Sequence, residues 1–161
     1  MKDLDPQQKL HRIRHSLAHV LAQAVQELRP GTRLGFGPAI DDGFYYDFIL
    51  PEPISEEELP ALQKLMEGIV KQKQEFSRED LDREAALAKI RAMGEPYKEE
   101  YAGELMDKQG LEGLSFYTNG AFVDMCEGPH VDHTGQIPKG CFKLHSVAGA
   151  YWRGDEKNAM M

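Results

Sequence analysis

Leu114-Ser115-Phe116-Tyr117-Thr118-Asn119-Gly120-Ala121-Phe122-Val123-Asp124-Met125-Cys126-Glu127-Gly128-Pro129-His130 is the stretch that sets the fold class. Residues 114–117 and 121–124 are two short runs rich in aromatic and β-branched side chains. They flank Asn119-Gly120, a dipeptide suited to the left-handed backbone of a tight hairpin turn. An antiparallel hairpin follows. Cys126-x-x-x-His130 comes next and encloses Gly128 and Pro129. Proline breaks a helix interior, so this pair is expected on a loop.

Upstream, the period changes. Leu10, Ile13, Leu17, Val20, Leu21, Ala24, Val25 and Leu28 recur at helical spacing, and Pro30-Gly31 stops the run. This predicted helix carries His15-x-x-x-His19, which stacks two imidazoles one turn apart. Aromatic runs around Asp41-Asp42-Gly43 predict a second hairpin. Ser55 with Glu58 forms a capping box ahead of a helix whose buried stripe is Leu59, Leu62, Met66, Ile69 and Val70. A short link around Phe76 leads to a helix over 83–93 closed by Gly94, then a helical piece from Pro96 to near Gly110. Residues 142–148 are expected to form a further strand. Hairpins grouped apart from helices predict an α+β fold, an antiparallel sheet packed with helices. Residues 1–161 are expected to be one domain, with a helical subdomain over 52–110.

The chain has 161 residues, 41% of them hydrophobic, and a formal net charge of −8. That charge argues against sequence-independent binding of nucleic acid, which would be repelled. Two cysteines make no disulfide framework and fit a reducing cytosol. No apolar run approaches the ~18–20 residues of a membrane span.

His15, His19, Cys126 and His130 are residue types that bind a transition metal or move protons. Three imidazoles and a thiol suit tetrahedral zinc, whose bound water ionises near about pH 7. Without metal, the same imidazoles suit positioning and deprotonating a water. The bland alternative is a pair of helix-surface histidines. The H-E-x-x-H protease pattern is ruled out, because Ser16 follows the first histidine. Lys98, in a charged helical stretch, reads as a solvated surface lysine. Asp124 reads either as a carboxylate that holds an ammonium group or as a turn-side acid. Of Tyr45 and Tyr46, one is expected in the core and one toward a pocket.

Taken in order, the motifs His15-Ser16-Leu17-Ala18-His19, Gly43-Phe44-Tyr45-Tyr46-Asp47, Tyr97-Lys98, Asp124-Met125-Cys126-x-Gly128-Pro129-His130 and Gly149-Ala150-Tyr151-Trp152-Arg153-Gly154-Asp155 resemble the editing domain of bacterial threonyl-tRNA synthetases, itself related to that of alanyl-tRNA synthetases. The resemblance runs from about Ile13 to Asn158. It implies hydrolysis of serine mistakenly esterified to the 3′ end of threonine tRNA, in the cytoplasm. It implies that His15 and Lys98 position or activate water or assist the leaving ribose oxygen, and that His19, Cys126 and His130 complete the catalytic pocket. Asp124 would hold the seryl ammonium, with Met125 beside it. Tyr46 would contact the terminal adenosine, and the backbone of 35–38, with Gly37 and Pro38, would line the substrate. The expected chemistry needs no cofactor and no metal; His15, His19, Cys126 and His130 are the candidate ligands if zinc binds, and such zinc would be adventitious. ATP and a synthetic zinc site belong to the aminoacylation domain, whose motifs are not found here. The expected partners are the aminoacylated end of threonine tRNA and the rest of a synthetase chain. Glu127 stands where the family pattern often has arginine. Lys139, Lys143, His145 and Arg153 form only a modest basic patch, so tRNA binding by this chain alone is expected to be weak and salt-sensitive. A zinc-dependent hydrolase of another ester or amide, and a non-catalytic tRNA-end binding module, are the competing readings.

Overall fold

The computed structural model describes residues 1–150. Its spine is α1, Pro6–Leu28. The helix starts ahead of the predicted boundary because Asp5 caps it. The Asp5 carboxylate accepts from the Gln8 amide at 2.9 Å, and the Gln8 side chain accepts from the Asp5 amide at 3.2 Å. Leu17, Val20, Leu21, Ala24 and Val25 form the buried stripe.

Four short strands follow. β1 (Arg33–Leu34) pairs antiparallel with β4 (Phe48–Ile49), and β2 (Ala39–Ile40) with β3 (Gly43–Phe44). Asp41 and Asp42 form the predicted hairpin loop, since Ile40 faces Gly43. A single 3₁₀ turn, Glu56–Glu58, leads into α2, Leu59–Lys71. The Ser55 amide donates to Glu58 at 2.9 Å, as the capping box requires. α2 lays Leu62, Met66 and Ile69 against α1 in one core, which also takes in Leu34, Tyr46, Phe122 and Val131.

The link expected around Phe76 is instead a strand, β5, Phe76–Asp82. It pairs along its whole length with β6 (Gly113–Asn119), which pairs in turn with β7 (Phe122–Met125). Ser77, Arg78, Glu79 and Asp80 are exposed, so β5 shows no apolar alternation. It is an edge strand of the order β5-β6-β7, and charged side chains are what such edges carry. In the β6–β7 hairpin Asn119 faces Phe122, so Gly120, with φ 59°, opens the turn. α3 (Arg83–Met93) and α4 (Pro96–Gln109) end at left-handed Gly94 and Gly110. They form a second core with the sheet through Ala86, Ile90, Ala102, Met106, Leu114 and Phe116.

Residues 142–148 do not form the expected strand. One side chain pairs with two of their main-chain groups: the Gln63 amide donates to the Phe142 carbonyl at 3.0 Å and accepts from the Leu144 amide at 2.8 Å. A carboxamide presents the donor–acceptor pair of a neighbouring strand, and here it replaces one. The architecture is α+β, as the hairpins and helices predicted. Tyr151–Asp155 and Arg153 of the basic patch lie outside the described residues. Among the described residues, no helix is long and apolar enough to cross a membrane.

Candidate active site

The loop after β7 is stapled to α1 at three successive residues. His15 Nδ1 lies 3.2 Å from the Pro129 carbonyl, Arg12 donates to the His130 carbonyl at 3.2 Å, and the Val131 amide donates to Ser16 Oγ at 3.0 Å. The Gly128–Pro129 peptide is cis. Gly128 has φ +77°, and a Cβ there would stand 2.6 Å from the Tyr117 hydroxyl, so the bend admits only glycine.

Stapling brings the two distant motifs together. Cys126 Sγ lies 3.3 Å from His15 Nε2 and 3.2 Å from His130 Nε2, and accepts from the Gly128 amide at 3.2 Å. A carbonyl only accepts, so His15 carries its proton on Nδ1 and turns the bare Nε2 toward the sulfur. Ligand atoms of His15, His19, Cys126 and His130 all lie within 4.8 Å of one another. Burial is the main cause that lowers the pKa of all three histidines, that of His19 to about 4. All three are therefore neutral at pH 7. Burial also pushes the Cys126 thiol up to about 12. The donor set fits zinc in type and spacing, with the thiol proton as the cost of binding.

A second group stands beside the first. Lys98, expected at the surface, is buried at 1% exposure. Its Nζ lies 2.6 Å from Asp124 Oδ1, and the Tyr46 hydroxyl donates to Asp124 Oδ2 at 2.7 Å. His19 Nε2 is 3.7 Å from the same oxygen. Burial raises the Asp124 pKa, but Lys98, His19 and the hydrogen bonds outweigh it and hold the carboxyl below its usual range. Burial and Asp124 push the Tyr46 phenol well up, so it stays a donor. Lys98 also lies over the rings of Tyr46 and Phe36, 5.4 and 5.8 Å from their centroids. Asp124 therefore already holds one ammonium, that of Lys98.

His15, His19, Lys98, Asp124, Met125 and Cys126 line one cleft of about 530 Å³ together with Phe36, Gly37 and Pro38. Glu127 also lines it. His130 and Tyr46 do not. They stand behind Cys126 and Asp124 and support them. Gly37 lacks a side chain for a reason inside the protein: a Cβ there would come within 2.0 Å of the Tyr46 ring. Tyr45 is exposed on the cleft rim and Tyr46 is core, the division expected of that pair. A larger cleft of about 740 Å³ is mostly apolar, contains Lys143 and His145, and holds none of the His/Cys cluster.

Sequence reading missed Glu95, Phe36 and Ser16. Buried Glu95 accepts from the Leu34 amide at 2.8 Å and so ties α4, which carries Lys98, to β1. Its only signal was a carboxylate just before Pro96 at a helix start. Ser16, between the two histidines, signalled nothing beyond a hydroxyl on the helix.

Residues 114–161 match the family described as the Threonyl and Alanyl tRNA synthetase second additional domain. The whole chain is 50% identical over 161 residues to a threonine–tRNA ligase of Gloeobacter violaceus and covers 25% of it. It is 51% identical over 149 residues, 92% of this chain, to the threonine–tRNA ligase of Maricaulis maris, covering 22% of that protein. For the enzyme of Thiobacillus denitrificans the figures are 49% over 149 residues, 92% of this chain and 23% of the relative. The chain thus spans about a quarter of the length of these relatives. With the second additional domain at one end and identity near one half along its length, the chain is similar throughout to the matching quarter of bacterial threonine–tRNA ligases.

Proposed function

We propose that this chain hydrolyses the ester between serine and the 3′ end of threonine tRNA, as the proofreading part of a cytoplasmic threonyl-tRNA synthetase. The observation that carries the reading is the convergence of His15, Cys126, Lys98 and Asp124 on one cleft. Threonine and serine differ by one methyl, worth only about 1–3 kcal/mol of discrimination, so a second, hydrolytic sieve is needed.

The proposed step balances simply. His15 Nε2, bare and beside the Cys126 sulfur at the cleft, accepts a proton from water as the water oxygen attacks the ester carbonyl. The bond from carbonyl carbon to ribose oxygen breaks, and that oxygen takes the proton back. Serine and free tRNA leave. General-base help of this kind is worth roughly 10²–10⁴ in rate. The Lys98 ammonium supplies positive charge beside the developing oxyanion. Asp124 would draw the seryl ammonium and share its charge with Lys98. Gly37, Pro38 and Met125 would form the wall against the aminoacyl group. Tyr46 would act from behind, by holding Asp124, more than by touching adenosine.

A paired deacylation assay tests this. Seryl-tRNA is expected to be hydrolysed well above its spontaneous rate and threonyl-tRNA to be spared. Equal rates, or none above background, would remove the proposal. The second reading, a zinc-dependent hydrolase, is favoured by the fit of the four-ligand cluster. A bound zinc would supply a hydroxide at neutral pH. Stoichiometric zinc in pure protein, with activity lost to a chelator, would decide for it.

A further inference from the structure

Ser16 is fully buried and lies outside the cleft. Its hydroxyl nevertheless has three partners, all at hydrogen-bond distance. They are the Arg12 carbonyl at 2.7 Å, the Val131 amide at 3.0 Å and His130 Nδ1 at 3.1 Å. A hydroxyl has one proton and two lone pairs. Two oxygens 2.7 Å apart repel unless a proton lies between them. The serine proton therefore goes to the Arg12 carbonyl, which can only accept. One lone pair takes the Val131 amide, which can only donate. The remaining lone pair faces His130 Nδ1, and that contact is a hydrogen bond only if the imidazole carries its proton there.

From this count we infer that Ser16 is a positioning residue that locks His130 in its Nδ1–H tautomer, with the bare Nε2 aimed at Cys126. Ser16 thereby does for His130 what the Pro129 carbonyl does for His15. Both imidazoles present a lone pair to one sulfur, 3.3 and 3.2 Å away. The thiol has a single proton and can satisfy only one of them. The other lone pair is left to take a proton from elsewhere, which a site that deprotonates water requires. The proximity of Ser16 and His130 invites a serine–histidine nucleophile reading. The geometry rejects it: the hydroxyl is sealed from the cleft and its proton points away from the imidazole.

The effect on catalysis rests on the editing function proposed above, but the tautomer does not. Protein labelled with nitrogen-15 at histidine would be studied at pH 7.5, where the neutral ring predominates. Two-bond nitrogen–proton spectra should show His130 of the unsubstituted protein protonated at Nδ1. In Ser16→Ala, with no acceptor left at Nδ1, the proton should move to Nε2 and point at Cys126. The Nε2–H form in the unsubstituted protein, or the Nδ1–H form persisting in Ser16→Ala, would overturn the inference. Deacylation of seryl-tRNA by Ser16→Ala should lose about 10–100-fold in kcat with KM unchanged, as for a group that orients a working imidazole. Unchanged kcat with a shifted tautomer would remove the positioning role. An unsubstituted protein that does not deacylate, yet shows the Nδ1–H form, would instead remove the editing reading and leave the tautomer lock standing.

Discussion

The two halves of the site, cleft-lining residues with the side chains behind them, are built by opposite means. On one side, His15, Cys126 and His130 are neutral, and main-chain groups of the 126–131 loop and one serine hydroxyl set their orientation. On the other side, Lys98, Asp124 and Tyr46 form a buried charged group whose members come from α4, β7 and the segment before β4. Neutral groups are cheap to bury once their hydrogen bonds are made. A buried ion pair is costly to form and costlier to break, because removing one partner strands the other. The first half should therefore lose chemistry when mutated and keep its fold. The second should lose both.

The sharpest break is Lys98→Met. It leaves the Asp124 carboxylate buried without its counter-ion and should cost about 3–5 kcal/mol of stability as well as deacylation. Urea unfolding measures the loss. Adding Asp124→Asn in the same chain should recover most of the stability and none of the activity. If the single variant is as stable as the parent, the charged half is not held by this pair. In the sequence Lys98 reads as a solvated surface lysine, which could be removed without harm to the fold, and the burial of its ammonium reverses that expectation.

His15→Ala breaks the neutral half. Deacylation should fall roughly 10²–10⁴-fold. The melting temperature should move little, because His15 is only partly buried. A large loss of stability would erase the contrast between the halves.

Acid separates them next. The His19 pKa is lowered to about 4 in the folded chain and is near 6.5 when unfolded. The unfolded chain thus binds the proton first. The stability that neutral His19 contributes is present above pH 6.5 and is lost as pH falls toward 4, at up to about 1.4 kcal/mol per pH unit. His15 and His130 shift in the same direction. Asp124, held low, adds a loss of the same sign at lower pH. Glu95, raised by burial, acts oppositely. Urea midpoints at pH 7.5 and 5.5 should fall with pH, and His19→Gln should flatten the slope. An unchanged slope would mean that His19 is not the buried neutral group described here.

The smallest effect sharpens the role of Glu95. Glu95→Ala leaves the buried Leu34 amide unpaired and should cost about 1–3 kcal/mol. Glu95→Gln keeps an acceptor for that amide and should cost under about 1 kcal/mol. Equal losses in the two variants would show that the charge of Glu95, beside Lys98, matters more than its hydrogen bond.

Legibility in the sequence followed the range of the interactions. The capping box at Ser55 and Glu58, the glycine stops at Gly94 and Gly110 and the 114–125 hairpin are local, and their chemistry is written in adjacent residues. β5 was missed because its pairing comes from β6, more than thirty residues on, while its exposed face is charged. Residues 142–148 looked like a strand because of their composition, but only the placement of Gln63 decides that a side chain stands in for the neighbour.

The amino-acid order by itself determined the α+β class, the helical spacing of His15 and His19, and the proline-bearing loop of Cys126 and His130, because periodicity and turn chemistry act within a few residues. The tertiary structure alone decided which way each polar group points. It turned Lys98 from a surface residue into a buried ion pair and made Ser16 a hydrogen-bonded hub. Those outcomes depend on desolvation and on partners from separate elements, Asp124 for Lys98 and the 130–131 backbone and side chain for Ser16, and no local pattern encodes them.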